Sequence, residues 1–108
     1  MEGIPPGEMT GFFLSTRALE DLFRIYSFIA ERSEESAERI SSAFYGRFAL
    51  LAKFPGMGRN RPEITKRPLL FYTFDGYHVV YRKTQDRIEI LTILGSGIDL
   101  RRFLLDHL

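Results

Sequence analysis

The chain predicts an α+β domain in which a helical hairpin covers a small antiparallel sheet, in the order β-α-α-β-β-β. Three observations carry that prediction. Two successive stretches repeat their apolar residues at spacings of three and four, from Leu19 to Ala30 and from Ala37 to Ala52. That spacing marks one stripe of a helix. Two β-rich runs, Leu69–Phe74 and Tyr77–Arg82, meet at Asp75-Gly76. An Asp-Gly pair between such runs is a strong hairpin signal, because a type I′ turn needs positive φ at both positions. A third run, Ile88–Leu94, is apolar on both faces after Glu89, as expected of a strand inside the sheet.

Each element has a local reason. Gly11–Leu14 reads as a short edge strand. Ser15 stands where a helix N-cap belongs, with Glu20 and Asp21 in the early turns. The first apolar stripe is Leu19, Leu22, Phe23, Tyr26, Ile29 and Ala30. Ser33 restarts the signal ahead of Glu34 and Glu35, and Ala37, Ile40, Phe44, Phe48, Leu51 and Ala52 form the second stripe. Phe54-Pro55 stops this helix, since proline disfavours helical geometry in the residue before it. The short link between the helices predicts an antiparallel pair. Gly56–Pro68 has no period and reads as a loop with at most a turn of helix. Gly95-Ser96-Gly97 breaks the last strand, and Ile98–Leu108 is either a short helix or an extended tail.

A chain of 108 residues is one domain, here 11–108, with 1–10 as a flexible leader and Met9 as an alternative start to Met1. It has no cysteine, which excludes disulfides and thiolate metal sites. No cluster of metal-ligand residues and no cofactor motif stands out, and the Gly56–Gly58 segment lacks the Walker spacing. No apolar run is long enough to span a bilayer, so no membrane partner is expected, and the cytoplasm is the expected location. The formal charge of +1 conceals a division: residues 1–52 carry −3 and residues 53–108 carry +4. The basic half suits an anionic partner, and salt bridges to the acidic half are the competing role for the same side chains.

The ordered set of residues resembles the ParE/RelE toxin superfamily of bacterial toxin–antitoxin systems, its ParE branch most closely. The resemblance runs from Leu14-Ser15, Ala18, Asp21-Leu22 and Ile25 through Leu51-Ala52, Pro55 and Gly58-Arg59. It continues in Arg61-Pro62-Glu63-Ile64, Arg67, Gly76-Tyr77, Val79–Arg82 and Ile88–Leu91, and closes at Asp99. The resemblance implies the fold already read from the residues, growth arrest as the outcome, and a cognate antitoxin as partner in a hetero-oligomeric complex. ParE-like relatives are associated with poisoning DNA gyrase, and RelE-like relatives with ribosome-dependent mRNA cleavage.

Chemistry separates the two branches. Internal cleavage of RNA needs a proton acceptor, a proton donor and cations for the phosphorane. Cations are present at Arg59, Arg67 and Arg82, which would be the catalytic set of a ribonuclease. The resemblance implies a His or Tyr near the end of the last strand in a ribonuclease, and Gly95-Ser96-Gly97 at that place offers neither imidazole nor phenol. His78, Tyr72, Tyr77 and Tyr81 lie at strand spacing that suits packing, and His107 lies in the tail. The reading favoured is therefore gyrase inhibition by binding, with no catalytic residue. Its target-binding candidates are Arg59, Arg61, Lys66, Arg67 and Arg82. The alternatives are the ribonuclease, an inactive toxin-like protein kept for its antitoxin complex, and a nucleic-acid-binding module, for which the loop has basic residues but no recognition helix or interleaved stacking aromatics. The expected antitoxin contacts are the apolar residues Leu22, Tyr26, Phe44, Phe103 and Leu104.

Overall fold

The computed structural model describes residues 11–108, so the leader expectation lies outside the described residues. The order is β1 (Phe12–Leu14), α1 (Thr16–Ala30), α2 (Glu34–Lys53), a 3-10 turn (Pro55–Met57), β2 (Leu70–Phe74), β3 (Tyr77–Lys83), β4 (Ile88–Gly95) and α3 (Leu100–His107). The α+β class holds. The C-terminal segment takes the first of its two expected forms, a short helix, and one feature differs from the sequence expectation: the sheet is mixed.

The sheet runs β1-β4-β3-β2. β2, β3 and β4 form an antiparallel meander, while β1 joins β4 in parallel through Phe12–Ile88 to Leu14–Ile90. The parallel pairing is open to β1 and β4 because the long segment between them, with both helices in it, supplies the crossover that parallel neighbours need. β4 lies inside the sheet, as its two apolar faces require. At the β2–β3 turn Asp75 has φ 52° and Gly76 has φ 81°, the left-handed pair that a type I′ turn demands.

Capping fixes the helix starts. The Ser15 hydroxyl accepts from the Ala18 amide at 3.1 Å and donates to the Leu91 carbonyl at 2.8 Å, so one side chain both starts α1 and ties it to β4. Ser33 caps α2 by accepting from the Ser36 amide at 3.0 Å. Asp99 does the same for α3, accepting from the Arg102 amide at 3.2 Å.

Two apolar clusters lie on opposite faces of the sheet. Between the hairpin and the sheet are Ala18, Leu22, Phe44, Phe48, Leu51, Val79, Tyr81, Ile88 and Ile90. On the far side, Leu69, Phe71, Val80 and Leu94 are covered by Leu100 and Leu104 of α3. The adjacent residues Val79 and Val80 go to different clusters, as strand alternation dictates.

The α1 stripe is displaced from its sequence expectation. The buried face is Ala18, Asp21 and Leu22, with Ile25 packed beside it. Leu19 and Phe23 are 52% and 72% exposed, and so is Phe28 at 70%. Asp21 is buried because β4 satisfies it. Its Oδ2 accepts from Thr92 Oγ1 at 2.6 Å and from the Ile93 amide at 2.9 Å, while Oδ1 accepts from Arg24 at 3.1 Å.

Candidate functional site

The basic loop between α2 and β2 is held by Tyr81. The buried phenol donates to the Pro55 carbonyl at 2.6 Å and accepts from the Gly58 amide at 2.8 Å. Burial pushes the phenol pKa above its ordinary value, with the Gly58 amide pulling the other way and Tyr72 adding to the rise. A Cβ at Gly58 would come 2.1 Å from the Tyr81 oxygen, so glycine is required there for space. Beyond Gly58, Arg59 exchanges both backbone hydrogen bonds with Phe71 at 2.9 Å, adding a one-residue strand to the edge of β2. The loop is therefore anchored at both ends of this short stretch and presents its side chains from a fixed backbone.

The five cationic candidates divide by what holds them. Arg61 Nε donates to Glu63 at 2.6 Å, and its guanidinium lies 6.0 Å from the Phe71 ring centre. That pairing lowers the Glu63 carboxyl pKa, helped by the Glu63 backbone amide and then by Arg59. Arg67 donates to the Leu108 carbonyl, tying the loop to the end of α3. Arg82 donates to Glu89 at 2.8 Å across β3 and β4. Arg59 and Lys66 are exposed, and their side chains have no hydrogen-bond or ion-pair partner among the described residues. Arg101, absent from the sequence candidates, donates to the Glu63 carbonyl and so joins the loop from α3. The signal for it was present but weak: a dipeptide Arg101-Arg102 after the Asp99 cap.

The acid–base candidates are scattered. Tyr72 accepts from Arg47 at 2.8 Å on the hairpin side of the sheet. Tyr77 packs edge-on against Phe44, with ring centres 5.3 Å apart. His107 lies against Phe103, their ring centres 4.5 Å apart. His78 is half-buried on β3, its Nδ1 3.5 Å from Thr73 Oγ1. His78 also lines a recess with Arg61 and Arg101 at the junction of loop, sheet and α3. Among the described residues, no group of three His, Asp or Glu is placed to hold a metal ion.

The apolar candidates sit mostly inside the fold. Leu22, Phe44 and Leu104 are core residues at 8%, 0% and 5% exposure, which corrects their placement on a docking surface. Their apolar surface is used in folding. Tyr26 is half-buried and donates to Glu38 at 2.7 Å, which raises its own pKa. Phe103 is half-buried, with Arg17 of α1 5.4 Å above its ring. Three of the exposed apolar side chains instead share the outer ridge of α1, where Leu19, Phe23 and Phe28 border a shallow groove of about 720 Å³ with Glu20 and Glu31 at its edge. The sequence holds a trace of this. Ala18, Asp21, Leu22 and Ile25 already complete one stripe, which leaves Leu19 and Phe23 on another.

Residues 12–100 match the family model of the ParE toxin of type II toxin–antitoxin system, parDE. Among solved structures, a chain of the chromosomal ParDE TA system from P. aeruginosa is similar in fold, with a TM-score of 0.67 at 20% identity. That alignment covers 81% of this chain and 96% of the other. A comparison with curated proteins finds no match. No described helix is long and apolar enough to cross a membrane.

Proposed function

Because this chain belongs to the ParE toxin family of type II toxin–antitoxin systems, we propose that it arrests growth in the cytoplasm by binding DNA gyrase, and that a cognate antitoxin neutralises it. The observation that carries the gyrase reading is the scatter of the acid–base candidates, none of which stands with Arg59, Arg67 and Arg82 in the way a ribonuclease would need. Arg82 is committed to Glu89 and Arg67 to the Leu108 carbonyl, while the Tyr81 phenol is locked between Pro55 and Gly58. A phosphorane needs its cations set beside a proton donor and acceptor. A rigid basic loop with exposed Arg59 and Lys66 better suits recognition of an acidic surface.

The antitoxin reading rests on the α1 ridge. Three large apolar side chains exposed on one helix call for cover, and an amphipathic helix laid along the ridge would supply it. The expected complex is a toxin–antitoxin hetero-oligomer in which the antitoxin covers the helical hairpin and a sheet edge. A co-complex in which it touches neither would refute this.

The deciding experiment is expression without antitoxin, followed by gyrase supercoiling and mRNA integrity assays. Gyrase inhibition with intact mRNA is expected. Rapid ribosome-dependent mRNA cleavage with normal supercoiling would replace this reading with the ribonuclease one. Neither effect would indicate an inactive toxin-like chain.

A further inference from the structure

Glu63 holds two arginines at once. Its carboxylate accepts from Arg61 Nε at 2.6 Å, and its backbone carbonyl accepts from Arg101 Nη2. Each guanidinium keeps N–H groups with no acceptor among the described residues: both Nη groups of Arg61, and Nε and Nη1 of Arg101. These two forks border a recess of about 380 Å³ at the far face of the sheet. His78 joins them from β3, with Nδ1 near Thr73 and Nε2 without a partner among the described residues. Ile64, Ile98 and Leu100 supply an apolar lining. Asp99 is the single acidic side chain of the lining, and its carboxylate caps α3 through the Arg102 amide.

We propose that this recess is an oxyanion site that takes a phosphate group of a nucleic-acid backbone. Two oriented guanidinium forks match the oxygens of a phosphate, and an imidazole adds a third donor. The apolar lining suits the sugar that flanks a backbone phosphate. The same two segments carry Arg59, Lys66, Arg67 and Arg102, which extend positive charge beyond the recess and favour a polyanion over an isolated ion. Glu63 is a positioning residue here, since it aims the two forks without facing the ligand. The inference does not depend on gyrase being the target.

The full chain tests it directly. Titration of the ¹⁵N-labelled protein with inorganic phosphate, followed by NMR, is expected to shift the His78 imidazole and the Arg61 and Arg101 side-chain signals. A fluorescent DNA duplex of about 20 base pairs, followed by anisotropy, measures backbone binding. Arg61→Gln and Arg101→Gln are each expected to weaken duplex binding roughly tenfold and to reduce the salt slope by about one. Arg39→Gln on α2 is expected to bind as the unaltered chain does. If a Gln variant fails to fold, its Lys counterpart, which keeps the charge and loses the fork, is expected to bind at least about threefold more weakly. A silent His78 on phosphate addition, or folded Arg61 and Arg101 variants with unchanged affinity, would overturn the site. Phosphate shifts without any duplex affinity would overturn the nucleic-acid assignment. Because gyrase is not in these assays, loss of the gyrase reading and loss of this one are separately visible.

Discussion

The Gly58 amide donates to the Tyr81 hydroxyl at 2.8 Å, joining the start of the basic loop to the interior of β3 across 23 positions of sequence. The same hydroxyl donates back to the Pro55 carbonyl. One phenol thus satisfies a donor and an acceptor of a loop that has no regular structure to satisfy them. A Cβ at Gly58 would occupy the place of that oxygen. Gly58→Ala is therefore expected to destabilise the fold by about 2–4 kcal/mol, and Tyr81→Phe by about 1–3 kcal/mol. Urea unfolding at neutral pH measures both, and a change under about 0.5 kcal/mol in either would remove the latch.

The Tyr81 phenol also sets an alkaline limit. Its pKa is raised in the folded state, mainly by burial. Above about pH 10 the unfolded chain releases this proton while the folded chain keeps it. The contribution is present below the unfolded value and declines as pH climbs towards the folded one. Unfolding midpoints between about pH 8 and about pH 11 should fall more steeply for the unaltered chain than for Tyr81→Phe. Tyr26, also raised through its bond to Glu38, leaves a residual slope in both. Parallel curves would show that the phenol does not carry the effect.

Asp21 is the polar pin between α1 and β4. Asp21→Ala leaves the Thr92 hydroxyl and the Ile93 amide without their acceptor in a buried place, with an expected loss of about 2–4 kcal/mol. Thr92→Val removes one donor and should cost less. A shift in thermal midpoint of the same size for both variants would contradict the shared-acceptor geometry.

Phe23 separates stability from partner binding. It is 72% exposed, so Phe23→Ser should change stability by no more than about 0.5 kcal/mol. Its affinity for the cognate antitoxin should fall about tenfold or more if the α1 ridge is the covered surface. Calorimetric titration of both forms decides, and equal affinities would move the docking surface elsewhere.

The basic loop carries the target prediction. The double charge reversal Arg59→Glu, Arg61→Glu is expected to lower gyrase inhibition about tenfold or more. Persistent toxicity at equal protein level would make the loop a solvated face only.

Local chemistry was the legible part of this fold. Asp75-Gly76, Ser15, Ser33 and Pro55 each act through their own few neighbours, and each structural role matches its residue type. The α1 face was misplaced for a physical reason. Periodicity counts apolar side chains, and α1 buries a carboxylate whose acceptor role is filled from 71 positions away while leaving two phenylalanines outside. The parallel attachment of β1 and the cover that α3 gives the far face are likewise products of distant pairing. Of the candidate site, the basic loop was visible as composition. The joining of Arg61, His78 and Arg101 was not, because three separate segments meet there.

Among the described residues, β1 has its only strand partner in β4, through Phe12–Ile88 to Leu14–Ile90. Ser15 and Asp21 also find their tertiary partners between Ile90 and Ile93. During synthesis, the first strand and the first helix can meet the second helix early, but must wait for residues near 90 to leave the ribosome before either can dock on the sheet. At about 5–20 residues per second, that wait is several seconds. The growing polypeptide therefore has no completed sheet until β4 has emerged.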